Sequence, residues 1–220
     1  YYDLIKGAKK RMIFTEMNVL IGSSIFHNEG KDILVPYLSQ SPDKTPKVEG
    51  LALFNGGVFT GETLKETESI LFNIMNNASV KNKPSLTLKI DSDKEPNIEN
   101  FVSINVLKAK RDLDLQVENG HVSGFIEVKL NVEVVESPLY QKGQSNEYIE
   151  KQLEKKLTTK GNDIIQKLQN ANCDGLSIGR QLIAYHNDEF KRMNWKEVGY
   201  QEADLQVKFN VTVSSHGIIR

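Results

Sequence analysis

Two long stretches of strict alternation constrain this chain more than any other feature. From Leu205 to Val213 the apolar residues Leu205, Val207, Phe209, Val211 and Val213 are separated by Gln206, Lys208, Asn210 and Thr212. Successive side chains of a strand point to opposite faces, so this stretch predicts a strand with one dry and one wet face. Ile126, Val128, Leu130, Val132 and Val134 repeat the pattern, interleaved with Glu127, Lys129, Asn131 and Glu133. Two strands with the same one-sided habit predict an antiparallel sheet, packed on one face and solvated on the other.

A two-residue turn at Asn119-Gly120 sets the register upstream, because both residues accept the positive φ of a tight hairpin turn. Opposed pairs are then Val117 with Val122, Leu113 with Ile126, Ala109 with Leu130 and Leu107 with Val132, apolar against apolar throughout. Gly124 falls opposite Leu115. Val102, Ile104 and Val106 keep even parity while Leu107, Ala109 and Leu113 are odd, which predicts a β-bulge at about Val106-Leu107.

The rest of the chain supplies helices and a smaller hairpin. Val48–Phe54, Asn55-Gly56-Gly57 and Val58-Phe59 predict the hairpin, followed at once by a helix whose Thr63 and Glu66 have capping-box spacing. Leu64, Leu71, Ile74 and Met75 form its apolar stripe. Ser85–Ile90 alternates as a strand. Glu147–Gln169 predicts a long helix with Ile149, Leu153, Leu157, Ile164 and Leu168 buried and Glu150, Lys151, Glu154 and Lys155 outward. Gly161 within it marks an expected kink or break. Leu176–Tyr185 predicts a second helix with Asp174 placed to cap it, and Asn187-Asp188 a third bearing Phe190 and Met193. Met17–Phe26 suits a further helix, stopped at Asn28-Glu29-Gly30. The proline-bearing stretch Ser39–Lys47 is the best boundary. It divides residues 1–46, the end of a preceding and partly helical region, from a domain at 47–220. The expected class is α+β: a mostly antiparallel sheet with one solvated face and helices packed on the other. The start at Tyr1 reads as that of a processed or truncated piece.

Few function classes leave a mark. The 28 basic residues balance 29 acidic ones, without the clustered basic excess of a nucleic-acid binder. Lys108, Lys110 and Arg111 cluster, but Asp112 and Asp114 follow, and the group reads as a solvated strand face. The single cysteine, Cys173, excludes an intrachain disulfide. There is no run of about 18 apolar residues to cross a membrane. His27, His121, His186 and His216 are scattered, with no HExxH or CxxC spacing for a metal; His121 and His216 read as exposed turn residues. Cys173, Asp174 and His186 are the one set resembling nucleophile, partner and base, against which a small buried thiol is the plainer reading of Cys173. Asn55-Gly56-Gly57 matches neither phosphate-loop motif, and Asp91, Asp93 and Glu95 lack the glycine and distal glutamate of a calcium loop. Trp195 reads as a core anchor. No catalytic, cofactor-binding or metal-ligating residue is assigned, and no cofactor is expected. The polar sheet face, with Lys129 and Lys208, serves either solvation alone or docking.

Two stretches resemble the C subunits of spore germinant receptors, the Ger(x)C family. The first is Gly50-Leu51-Ala52-Leu53-Phe54 with Gly61, Leu64 and Glu68-Ser69. The second is Cys173-Asp174, Leu176 and Gly179, then Phe190, Trp195, the alternating strand and Gly217. In this chain the Gly61–Leu64 spacing is one residue longer than usual, Ser177 stands where a glycine is common, and Asn187 where a proline is common. The resemblance covers about Leu34 to the C-terminus. It implies a non-enzymatic lipoprotein subunit, lipid-anchored (palmitate) at the spore inner membrane with its ectodomain outside the cytoplasm. Such a subunit acts with integral-membrane A and B subunits in nutrient-triggered germination through protein–protein contacts. The lipidated N-terminal cysteine would lie outside these residues, Cys173 being internal. A module that binds the germinant, a small molecule, is the alternative.

Overall fold

A computed structural model of the chain describes residues 2–14, 29–90, 100–141 and 143–216. The expected helix at Met17–Phe26, His27 and the acidic run Asp91–Glu95 lie outside the described residues. In order, the elements are α1 (Tyr2–Lys10), β1 (Leu34–Gln40), β2 (Pro46–Asn55), β3 (Val58–Lys65), α2 (Glu66–Met75), β4 (Ser85–Lys89), β5 (Phe101–Glu118) and β6 (His121–Glu136). Then follow α3 (Pro138–Gln141), α4 (Asn146–Asn170), α5 (Ile178–Tyr185), α6 (Asn187–Arg192), a π-helical turn (Trp195–Gly199), α7 (Tyr200–Glu202) and β7 (Asp204–His216). The strands form a three-stranded sheet, β1-β2-β3, and a four-stranded sheet, β4-β5-β6-β7. This is the expected α+β class.

The two long alternating strands behave as their period requires. Leu205, Val207, Phe209, Val211 and Val213 are buried, as are Ile126, Val128, Leu130, Val132 and Val134, all facing the helices. Asn119 and Gly120 both have positive φ (52° and 81°), the geometry of a type I′ turn. The register that this turn sets holds from Val117↔Val122 through Ala109↔Leu130. The last expected pair does not form. Leu107 is itself the bulged residue, so Val106 pairs with Val132.

The direction of β7 differs from the antiparallel expectation: it pairs with β6 in parallel, from Ser123↔Asp204 to Val134↔His216. Residues 137–203, with α3 to α7, carry the chain back to where β6 began, which is the long crossover a parallel pair needs. β7 is an edge strand, and α4 closes its free edge. The N–H groups of Val207, Phe209, Val211 and Val213 donate to Asn162 Oδ1 (3.0 Å), Thr158 Oγ1 (3.0 Å), Glu154 Oε1 (3.0 Å) and Glu150 Oε1 (2.7 Å). Four helical residues rise about 6 Å and two strand residues about 6.6 Å, so a side chain every fourth position keeps step with every second N–H. The result shields an edge that would otherwise recruit another strand. Glu150 and Glu154, expected outward, are half-buried and spent on this ladder.

Gly161 does not break α4, which runs unbroken through Asn170. A Cβ at Gly161 would lie 2.6 Å from Val207 Cγ1 and 2.8 Å from Phe209 Cε2, so the glycine lets helix and strand close up. β3 runs on to Lys65, and Thr63 therefore belongs to a strand; the contact at the start of α2 is Lys65 N–H to Glu68 Oε2 at 2.8 Å. The stretch Ser39–Lys47 is the turn of an antiparallel pair, Gln40↔Pro46. Ala8, Met12, Ile13 and Leu34 share the core with residues after the turn, and Asn73 Nδ2 donates to Met12 O and Ile13 O.

Candidate functional site

The loop between α4 and α5 holds the most chemically loaded group in the chain. Asp174 is 3% exposed. Its Oδ1 accepts from Ile178 N–H (2.9 Å), and its Oδ2 from Gly179 N–H (2.7 Å) and Trp195 Nε1–H (3.1 Å). The carboxylate thus caps α5, as the sequence spacing suggested, and pins the π-helical turn as well. Its backbone is held too: Asp174 N–H donates to Asp32 Oδ2 (2.8 Å), while Asp32 N–H donates to Asp174 O (3.0 Å). Asp32 Oδ1 in turn accepts from Gly56 N–H in the β2–β3 turn (2.9 Å). Gly179 is required where it stands, since a Cβ there would sit 2.5 Å from both Trp195 Nε1 and Gly30 Cα. Ser177, where the family pattern commonly has glycine, takes a left-handed φ of 63°.

Burial sets the electrostatics. It pushes the Asp174 carboxyl up to about 6, against the three hydrogen bonds that favour its ionised form; the Asp32 charge adds to the rise. Burial, reinforced by Asp32, drives the Cys173 thiol far above its usual range, so at neutral pH it is a protonated, inert thiol. Desolvation also raises Tyr200, and it lowers Lys31 with help from Arg180. The Tyr200 hydroxyl is buried and has no hydrogen-bond partner, and its ring meets Trp195 edge-on at 5.7 Å. A cavity of about 40 Å³ opens here, lined among others by Lys31, Asp32, Asp174, Trp195, Lys196 and Tyr200.

The nucleophile–partner–base set does not assemble. Cys173 is buried, Asp174 spends both oxygens on N–H donors, and His186 is a half-buried residue at the α5–α6 junction. His121 is exposed beside the Asn119-Gly120 turn, and His216 is the last residue of β7. Gly56 and Gly57 form the two-residue β2–β3 turn. Trp195 is a buried anchor, as expected, with its N–H engaged by Asp174. Among the described residues no group of His, Cys, Asp or Glu is arranged to hold a metal ion, and no helix is long and apolar enough to cross a membrane.

Arg111 corrects the reading of the basic cluster. Lys108 and Lys110 are exposed, but Arg111 shares the inner face with Ala109 and Leu113, and its Nε and Nη2 are buried without a hydrogen-bond partner. Burial lowers its pKa, partly offset by the charge of Asp174. Its odd parity after the bulge was the available signal. The outer face of the four-stranded sheet carries Asp112, Asp114, Lys129 and Lys208 in solvent, with Lys129 paired to Glu127 at 2.8 Å. Phe125 and Val135 are exposed among them, at 44% and 48%.

Residues 49–217 match the family described as spore germination B3/GerAC like, C-terminal. The fold is similar to the crystal structure of the GerBC protein, with a TM-score of 0.69 and 16% sequence identity, covering 92% of this chain and 65% of that one. This chain therefore spans about two thirds of the GerBC chain. No curated protein matches it.

Proposed function

The chain belongs to the spore germination B3/GerAC-like C-terminal family, and from that premise we propose that it is part of a germinant receptor C subunit that works by protein–protein contact. In this reading residues 47–220 are the family's C-terminal domain, with β1 supplied from the preceding region to complete the smaller sheet. The subunit is held at the spore inner membrane by a lipid carried outside these residues, with its ectodomain outside the cytoplasm, and it assembles with the integral-membrane A and B subunits.

The observation that supports a contact role is the outer face of β5, β6 and β7. Its side chains alternate away from the helices, and it carries charges of both signs with Phe125 and Val135 exposed among them. Charged groups with a few apolar anchors suit a specific but separable interface. The buried chemistry around Asp174 supports a structural role: the thiol is held protonated and the carboxylate is spent on N–H donors, so neither is poised for attack.

Charge reversal at Lys129 and Lys208 in the full-length protein tests the surface. Both residues are exposed, so the double variant keeps its circular dichroism and melting temperature while recovering less of the A and B subunits on co-purification. Undiminished recovery would remove this face as the docking site.

A further inference from the structure

α4 closes the β7 side of the four-stranded sheet, but the opposite side is only partly covered. β4 pairs with β5 from Phe101 to Asn105, and Val106 N–H donates to Pro84 O (2.9 Å). From Leu107 to Glu118 no described strand or helix pairs with the outer edge of β5. The Asn119-Gly120 turn makes Glu118↔His121 the closing hydrogen-bonded pair, so the even residues back to Lys110 exchange their backbone bonds with β6. The N–H and C=O groups of Ala109, Arg111, Leu113, Leu115 and Val117 therefore point away from the sheet, with no backbone partner among the described residues. Ala109, Leu113, Leu115 and Val117 are half-buried where the inner face runs out to this edge. A row of open backbone groups beside half-covered apolar side chains is a template for a further strand.

We propose that this edge pairs antiparallel with β5 of a second copy of the chain, about a two-fold axis. Charge complementarity selects that occupant. The exposed side chains along the edge change sign part-way, from Lys108 and Lys110 to Asp112, Asp114 and Glu118. Edge lysines repel a strand that brings its own cations, whereas a reversed copy brings carboxylates to them. An axis through Asp112, near the middle of the open stretch, sets Lys110 opposite Asp114 of the second copy and Lys108 opposite Gln116, each pair occurring twice. On the inner face Ala109 then meets Leu115, and Arg111 meets Leu113. An axis through Arg111 would press two half-buried guanidinium groups together, and one through Leu113 would oppose Asp112 to Asp114. Asp112 meets its own copy on the axis, where each carboxylate keeps the Lys110 of its own chain at 3.3 Å. A single strand pair is a small interface, short of the ~1,200 Å² of stable complexes, so the expected dimer is reversible and micromolar. The proposal concerns the β5 edge and does not depend on the contact role above.

Sedimentation equilibrium of the protein from about 1 to 500 μM measures the association. The expected result is a monomer–dimer equilibrium. Lys110→Glu and Asp114→Lys each turn both cross-axis pairs into like charges and should weaken dimerisation roughly tenfold or more. Both residues are exposed, so circular dichroism and melting temperature stay those of the wild type. Mixed in equal amounts, the two variants should form heterodimers with nearly wild-type affinity. The new glutamate of one then faces the new lysine of the other, and the native pair survives across the axis. The proposal is overturned if the protein stays monomeric throughout, if the single variants dimerise like the wild type, or if mixing them restores nothing.

Discussion

Replacing Asp174 by asparagine removes the ionisable group from the node that joins the β2–β3 turn, the segment before β1, α5 and the π-helical turn. The folded carboxyl titrates at about 6 against an ordinary value of 3.8. Between those values the native state holds more protons than the unfolded chain, so stability rises as pH falls from about 6 towards 4. The burial penalty acts in full above 6 and vanishes below 3.8. At 1.36 kcal/mol per unit the span is worth roughly 3 kcal/mol. Asparagine cannot titrate, and its NH2 must face either the Ile178 N–H or the Gly179 N–H and Trp195 Nε1–H together, leaving at least one buried donor unpaired. Urea unfolding of wild type and Asp174→Asn from pH 7 to pH 4 measures the difference, in which all shared titrations cancel. The variant is less stable throughout, and its deficit widens by roughly 2–2.5 kcal/mol between pH 7 and pH 4, most of the full span. Parallel curves would refute the reasoning. A deficit that narrows on acidification would do so more strongly, because it would mean that the hydrogen bonds outweigh burial.

The seam between α4 and β7 gives two further predictions. Gly161→Ala gains about 1 kcal/mol of helix propensity but forces a methyl into Val207 and Phe209, so a net loss of roughly 1–2 kcal/mol is expected in the urea midpoint. Thr158→Val keeps the shape yet strips the acceptor from Phe209 N–H, at a cost of about 1–2 kcal/mol; an unchanged midpoint would mean that water replaces the hydroxyl. Ser177→Gly relieves a left-handed residue and should raise stability by about 0.5–1 kcal/mol, read as a higher melting temperature.

Which parts of this molecule could be read from its sequence follows from what periodicity encodes. Alternation fixes the faces of β6 and β7, and Asn119-Gly120 fixes the β5–β6 register, because turn chemistry and core pattern agree there. Alternation has no direction, so the parallel pairing of β7 was invisible until the crossover was placed. Charge misled twice. Arg111 obeys its parity and not its neighbours, and Glu150 and Glu154 look like a solvated helix face until an edge strand needs their oxygens. The Asp174 site was half legible. Its spacing to Ile178 and Gly179 announces a cap, whereas Asp32 reaches it across 142 residues with no local pattern to mark the meeting. Tyr200 gave no signal either, because an unpartnered hydroxyl is a property of its surroundings.

Affinity purification of the full-length protein from spore membranes tests the contact role most directly. The account predicts that integral-membrane A and B receptor subunits accompany it in reproducible proportion. Recovery of the protein without either subunit, under conditions that keep the receptor intact, would contradict it.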